Sequence, residues 1–516
     1  MLRIQRSAGP MVAWVTFALL ALAALDALFT RLVLSASKPW SAIALALLGV
    51  GAWLALSGPI ARRVGSLRPG SRRLLLVGGA LAYLALQLTL TLTTARLPGF
   101  DAMVLFSAAQ NEVLGVDGGA FYVRYFTLYP FNELLETIYY VLFSTVHAFG
   151  GGPRQFTYAA CLMNGLFLTT SALLTLKVAR RLLGGVAAVF CTGLVAVFLL
   201  LSPWLHVVYS DTVGMMFPIA MLAVASAVSP EASGWRRLLP WLAIGVLGGI
   251  GMSIKPTVVF ALVGIVGGPL LLRPRSFRSH GPAVAAAALA FLVIRALVPV
   301  GIHAADISPI QQSDPGGAFP ITSQLAMGTE GSGGYNPQDV GEILRTPDDE
   351  RSALGLRLYK ERVKALGASG YARLLNDKLT ATLDQGTFGQ WGEGGLVKVA
   401  PLRDDGVSRF VQSFYDAYGS RHGIAVGMWD GVWLVGLALL CVPLVLRRGW
   451  ARRFDALFPI ALSLVLLLAF HTVFQTRARY LYLYAPFLLV LMSGGALQVR
   501  GAVTGAVRRS RAERTS

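Results

Sequence analysis

Cysteine is almost missing from this chain, and acid is scarce. Three cysteines occur in 516 residues, Cys161, Cys191 and Cys441, each inside an apolar run and none in a Cys-x-x-Cys pair. That spacing excludes a disulfide framework, a thiolate zinc site and a thioredoxin-type redox pair, and leaves the thiols as small buried apolar groups. Charged residues make up only 14% of the chain, against about 25% in soluble globular domains. An ordinary soluble fold is thereby excluded. No Gly-x-x-x-x-Gly-Lys-[Ser/Thr], His-Glu-x-x-His or Gly-x-Ser-x-Gly stretch is present. A P-loop, a zincin and an α/β-hydrolase elbow are excluded with them. There is no internal repeat, and no soluble nucleotide-binding unit between the apolar runs.

What is present is hydrocarbon. The chain is 55% hydrophobic, with a mean hydropathy of +0.61. A bilayer crossing needs roughly 20 apolar residues. On that measure the sequence predicts about twelve spans, at 11–35, 41–60, 74–96, 157–180, 184–203, 213–229, 239–254, 257–272, 282–300, 427–446, 456–474 and 480–498. A long apolar run follows Arg3 and Arg6 and a second follows almost at once, so the first is read as a retained helix rather than a cleaved signal.

Lys and Arg total 45 against 26 Asp and Glu, a formal charge of +19. The bases sit in short clusters between apolar runs, which speaks against nucleic acid and for the positive-inside pattern. With the N-terminus in the cytoplasm, the clusters Arg62–Arg73, Lys177–Arg181, Arg236–Arg237, Arg273–Arg278, Arg447–Arg453 and Arg500–Arg514 fall on alternate, cytoplasmic connections. The short outer connections hold isolated bases: Lys38, Lys255, Arg477 and Arg479. Both termini are then cytoplasmic in a multi-pass plasma (inner) membrane protein.

This arrangement requires that 131–149 does not cross. Glu133 and Glu136 open it and aromatics fill its middle, which suits a helix lying at the outer interface. Residues 97–156 then form a structured outer loop. The long hydrophilic stretch 301–426 also falls outside. Its Gly- and Pro-rich start reads as loop, Asp348 to about Leu374 as helix interrupted at Gly367 and Gly370, and Asp384–Trp391 as turn. A small external domain over the membrane core is expected there, since a structureless loop of this length is unusual in a compact unit. The expected fold class is all-α and polytopic. It divides into an N-terminal two-helix addition (1–73), a transmembrane core (74–300), the outer domain (301–426), and C-terminal helices with a basic tail (427–516).

Four outer connections carry unusual polarity. Arg96-Leu-Pro-Gly-Phe-Asp101 and the residues after it supply Asp101, Asn111, Glu112, Arg124 and Glu133. Ser202–Thr212 supplies Tyr209 and Asp211, Ser253–Thr257 supplies Lys255, and Gln475–Tyr480 supplies Arg477 and Arg479. An acid at a membrane face is costly unless solvated, paired or used. Asp101 is therefore either a capping or solvated loop acid, or a general base for an acceptor hydroxyl. Asp211 is a helix cap, or a second active-site acid. Two carboxylates on separate loops could also share a divalent cation, Mg2+ or Mn2+, through oxygen ligands. Lys255, Arg477 and Arg479 either snorkel or bind an anion, a task that arginine's planar fork suits. Glu112, Arg124, Glu133 and Tyr209 are the candidate substrate contacts. His206 and His471 read as packing residues.

These pieces resemble the GT-C superfamily of polytopic glycosyltransferases, which use polyprenyl-phosphate-linked donors. The resemblance rests on Pro98-Gly-Phe-Asp101 after an outward-going helix, Tyr129-Pro-Phe-Asn-Glu133, and Lys177-Val-Ala-Arg-Arg-Leu-Leu-Gly184. Ser202-Pro-Trp with Tyr209-Ser-Asp-Thr212, Lys255-Pro-Thr257 and Arg479-Tyr480 complete it. It is closest to bacterial members of the family 39 type, related to protein mannosyltransferases. It implies that Asp101 stands in for the first-loop catalytic acid, that Asp211 lies near the active site, and that Lys255 and Arg479 approach the donor phosphate. Two departures are plain. Two spans precede the helix before Asp101, and no second acid adjoins it.

The expected partners are a polyprenyl-phosphate-linked sugar, an extracytoplasmic acceptor (a cell-envelope glycan, glycolipid or protein) and the bilayer. Two alternatives stand beside this expectation. One is an O-antigen-ligase- or polymerase-like enzyme, in which Arg351, Arg357 and His422 of the late outer region would matter most. The other is a lipid-linked sugar transporter or flippase, which would place its polar residues at mid-membrane.

Overall fold

The structure is a computed structural model that describes residues 2–34, 40–228, 235–272, 277–390, 401–446 and 451–515. Lys38, Trp391 and the bases Arg273, Arg275, Arg447 and Arg448 lie outside the described residues.

Among the described residues every regular element is helical. Eight helices among the described residues are long and apolar enough to cross a bilayer: Met11–Val33, Trp40–Ser66, Pro69–Thr94, Pro153–Leu183, His280–Ala304, His422–Pro443, Asp455–Val473 and Ala478–Val507. Shorter apolar helices run over Gly185–Leu200, Ser210–Ala225, Leu238–Ile254 and Pro256–Leu272. Together they match the expected spans one for one. The chain is a polytopic all-α membrane protein.

Several helices outrun their apolar segments, because backbone hydrogen bonding continues past the bilayer edge wherever nothing stops it. The segment 157–180 becomes a helix over Pro153–Leu183. Proline at the first helical position lacks only an N–H that would be unpaired anyway. Gly184, at φ +94 and ψ 179, ends the helix in a conformation open essentially only to glycine.

Burial sorts the spans. Trp40–Ser66, Pro69–Thr94 and His280–Ala304 keep Leu45, Leu48, Leu74, Leu81, Leu289 and Leu292 exposed, as hydrocarbon-facing helices do. The last span is buried over residues 481–496 and becomes exposed towards its end, where Val503 and Val507 face outward. The first helix is packed into the bundle through Ala13, Ala21, Ala24 and Ala27. Its Asp26 accepts hydrogen bonds from Thr380 and Asn376 of the outer region.

The first long connection between spans folds as three short helices: Phe100–Leu114, Gly119–Leu128 and Glu133–Ala148. Phe106, Tyr139, Phe143 and Phe156 stack through their interior. Tyr139 donates to the Val208 carbonyl at 2.6 Å and so ties this layer to the next outer connection.

The long hydrophilic connection 301–426 folds, among its described residues, into short helices around one long element, Arg351–Leu383. That helix breaks once, at Gly367 (φ +63, ψ 177), and runs through Gly370 unbroken. One glycine outside the helical region is enough to turn the axis. Lys378 then clasps the domain to the membrane core. Its buried ammonium donates to the Gly328 carbonyl (2.8 Å) and to the Phe474 carbonyl (2.8 Å) at the end of a spanning helix. Burial pushes Lys378 down to about 8.

The two ends of the bundle differ. Residues 95–132, 201–212, 255–258, 305–345 and 474–480 meet at one end. At the other, Arg181 donates to the Ala223 carbonyl (3.0 Å) and Arg500 to the Leu54 carbonyl (2.8 Å).

Candidate active site

Each candidate side chain at the polar end owes its position to a local feature of the chain. Pro98-Gly99 stops the preceding segment, and Gly99, extended at φ −113 and ψ 177, precedes the Phe100–Leu114 helix. Phe100 has φ +50, unusual and strained for a non-glycine residue. Asp101 follows it in the first helical turn, where the helix dipole favours a carboxylate. Tyr209 is extended, and the Ser210–Val213 turn that follows sets Asp211 inward. Lys255 is extended at φ −145 and ψ 110 because Pro256 disfavours the helical region for the residue before it. Arg477 and Arg479 lie at the start of a 3-10 segment, Ala478–Tyr484. That strand of chain is held against the outer domain by Gln475 N–H to Gln324 O and Thr476 N–H to Gly333 O, both 2.9 Å.

These residues converge on a cavity of about 520 Å³. Asp101, Lys255, Arg477 and Arg479 supply its charge, and Tyr125, Tyr129, Tyr209, Phe319, Tyr335 and Tyr480 most of its aromatic wall. The Asp101 side chain is 43% exposed; its Oδ2 lies 3.7 Å from Arg479 Nη2. The same oxygen accepts from the Tyr209 hydroxyl at 3.4 Å. Burial, and then the negative charge of Asp101, hold Tyr209 well above the ordinary phenol range, so it remains a proton donor. Tyr129 is likewise pushed up to about 12, by burial and then by Asp101.

Asp211 lies behind the wall. It is fully buried, and its Oδ1 is 2.8 Å from Lys255 Nζ. The Lys255 ammonium also sits over the rings of Tyr480 (4.8 Å) and Tyr209 (5.5 Å). Arg479 caps the same two rings at 5.4 Å each, and its buried Nε has no hydrogen-bond partner among the described residues. Arg477 lies over Tyr335 at 5.8 Å. Three cations face two carboxylates here, and one of those carboxylates is sequestered. The cavity is therefore biased towards an anion, with one half-exposed acid beside it.

Three other candidates lie elsewhere. Glu112 does not line the cavity; it accepts from the Ser308 backbone N–H at 3.2 Å, joining the first outer loop to the later domain. Arg124 is exposed on the Gly119–Leu128 helix, outside the cavity. Glu133 opens the next helix, half-buried and away from the cavity, and burial pushes it up to about 7 against the opposing charge of His303. Spacing along the chain brought these three near Asp101 in sequence, but helical turns point them to other faces. His206 and His471 are both buried in the packing, His471 stacked on Tyr480 at 4.9 Å. Sequence reasoning missed Tyr125, Tyr129, Tyr335, Phe319 and Gln324 as cavity residues. The only signal available was the density of aromatics in the first outer loop.

Among the described residues no three His, Cys, Asp or Glu side chains come together as a metal-binding group. Of the expected pair, Asp101 lines the cavity and Asp211 faces the Lys255 ammonium through Oδ1.

No curated protein matches the sequence. Among solved structures, the crystal structure of ArnT from Cupriavidus metallidurans bound to undecaprenyl phosphate aligns with 15% identity and a TM-score of 0.35, over 83% of this chain and 78% of that one. A family model described as conserved hypothetical integral membrane protein matches residues 42–499, and the chain belongs to that family.

Proposed function

We propose that this protein is a membrane glycosyltransferase of the GT-C type. It transfers a sugar from a polyprenyl-phosphate-linked donor to an extracytoplasmic acceptor, with Asp101 as general base. The observation that carries this reading is the pairing of one half-exposed carboxylate with Arg479, Arg477 and Lys255 on the wall of a single aromatic cavity.

In this reading the donor phosphate is received by Arg477, Arg479 and Lys255, and the sugar lies against the tyrosines. The acceptor oxygen attacks the anomeric carbon while its proton passes to the Asp101 carboxylate. The anomeric carbon–oxygen bond to phosphate breaks, and the lipid phosphate leaves with that electron pair, its charge stabilised by the three cations. Asp211, which sits behind Lys255, acts as a positioning residue for that ammonium. Tyr209 donates to Asp101 and orients it. No step is drawn through a metal. The polar end faces outward on the distribution of Lys and Arg clusters, which leaves both termini cytoplasmic.

A ligase-like reading would rest on Arg351, Arg357 and His422, and none of these lines the cavity. Arg351 is engaged by Asp348 at 2.6 Å and by the carbonyls of Ile343 and Thr346.

The test is sugar transfer from a polyprenyl-phosphate donor in proteoliposomes. A positioned general base contributes about a hundredfold or more, so Asp101→Asn is expected to lose at least that factor. Unchanged transfer by a folded Asp101→Asn protein would remove Asp101 from the mechanism.

A further inference from the structure

The helix Gly406–Tyr415 leaves part of its apolar surface uncovered. At about 100° per residue, its side chains fall into three sectors. Ser408, Gln412 and Tyr415 share one face, and all three are buried against the protein. Val407 and Phe410 share another with Phe414, and they stay 65% and 54% exposed. Arg409 and Ser413 lie on a third. A helix docked on a soluble domain buries its apolar face; this one buries Ser408, Gln412 and Tyr415, packs Val411 and Phe414 partly against the core, and still presents Val407 and Phe410 outward. The chain that follows adds Tyr418 (89% exposed) and Ile424 (67% exposed).

The helix is also fixed at the ends of spanning helices. Gln412 Nε2 donates to the Thr93 carbonyl (2.8 Å) and Leu402 N–H to the Ala95 carbonyl (2.9 Å), at the end of Pro69–Thr94. Arg154 donates to the Leu402 carbonyl (2.9 Å) from the start of Pro153–Leu183. Tyr415 donates to the Leu201 carbonyl (2.9 Å), just past Gly185–Leu200. The next span opens at His422, a few residues on. Four span ends therefore set this helix at the level where the bilayer's hydrocarbon meets its headgroups. Arg421 lies over Phe410 (5.0 Å) and Phe414 (5.8 Å), an arrangement that lets an arginine cover apolar surface while its charge reaches the headgroup layer.

We infer that residues 406–424 form an interfacial foot whose exposed Val407 and Phe410 are covered by lipid of the adjoining leaflet and which seats the late outer domain on the membrane. Arg403 and Arg409 are already paired with Asp405 and Asp404, Asp416 with Arg96, and the Arg421 guanidinium lies on the Phe410 and Phe414 rings. The partner is therefore lipid hydrocarbon at the interface rather than an anionic headgroup. Exposed large apolar faces of this kind mark interaction sites, and this one sits where a bilayer already is.

Nitroxide labels on the full chain in proteoliposomes test this. The native thiols, Cys161, Cys191 and Cys441, are buried, so single cysteines at exposed positions take the label. Labels at Val407→Cys and Phe410→Cys are expected to collide readily with oxygen and to be shielded from a water-soluble nickel chelate. Labels at Arg409→Cys and, as an aqueous control on the long outer helix, Arg357→Cys are expected to show the reverse. Nickel accessibility at 407 and 410 equal to that at 357 would overturn the inference. So would dipolar broadening at 407 and 410 that persists on dilution into excess lipid, because a second copy of the chain would then cover the face.

Discussion

The ammonium of Lys255 lies 2.8 Å from the carboxylate of Asp211, at the edge of the cavity that holds Asp101. The acid is fully buried and the base only slightly exposed, so neither is solvated well enough to stand alone. Removing one partner of a buried pair strands the other, at a cost of about 3–5 kcal/mol. Asp211→Asn is expected to lower the thermal unfolding midpoint in detergent markedly, and Asp211→Asn with Lys255→Met to recover most of the loss. A double variant no more stable than Asp211→Asn would show that the pair is not the reason for the fall.

Arg479 stacks on two tyrosines and points at Asp101, which uses the flatness of its guanidinium as well as its charge. Lysine keeps the charge but neither the stacking nor the forked donors. A hydrogen bond to a charged group contributes about 1.5–3 kcal/mol. Arg479→Lys is accordingly expected to weaken donor binding about ten- to a hundredfold, read as a rise in KM for the lipid-linked sugar. An unaltered KM would place the donor phosphate elsewhere.

Glu133 gives stability a pH dependence of definite sign. Burial raises its folded-state pKa from 4.5 to about 7. Between those values the folded protein binds more protons than the unfolded chain, so this contribution is whole below about pH 4.5 and is lost as pH rises through 7. Glu133→Gln should flatten the fall in unfolding midpoint across that window. It should leave sugar transfer intact, because the side chain lies outside the cavity. A slope identical to that of the parent protein would exclude Glu133 as its source.

Gly367 occupies backbone space essentially closed to other residues. Alanine there should cost about 1–3 kcal/mol and act on the outer domain that the kink shapes. Proteolysis of residues 320–390 in the folded protein is the readout. Gly370→Ala, within regular helix, is the control and should be neutral or slightly stabilising. Equal protease sensitivity in the two variants would contradict the role given to the kink.

Much of the architecture could be read from the chain alone. Apolar length is a one-dimensional property, so the spans emerged from counting residues against bilayer thickness. Even the short ones, at Ser210–Ala225 and Leu238–Ile254, fall where they were expected. The break in the long outer helix was legible for a similar reason, since glycine's freedom at positive φ is local. Which of two glycines would use that freedom was not legible, because Gly367 and Gly370 have the same intrinsic preference and packing chose between them.

The site divides in the same way. Composition and the order of the outer connections determined that Asp101, Tyr209, Asp211, Lys255, Arg477 and Arg479 belong to connections at one end of the bundle, because helices crossing in alternation return every second loop to the same side. Only the tertiary structure decided that Asp101 faces the cavity while Asp211 is sealed behind Lys255, that Glu112, Arg124 and Glu133 turn away, and that tyrosines from separate elements build the wall. It also decided that the Gly406–Tyr415 helix leaves Val407 and Phe410 facing outward. Those outcomes depend on the direction of each side chain and on what packs beside it. A change of one residue in helical phase rotates a side chain by about 100°, and the pattern of residue types along the chain does not by itself say which face meets which neighbour.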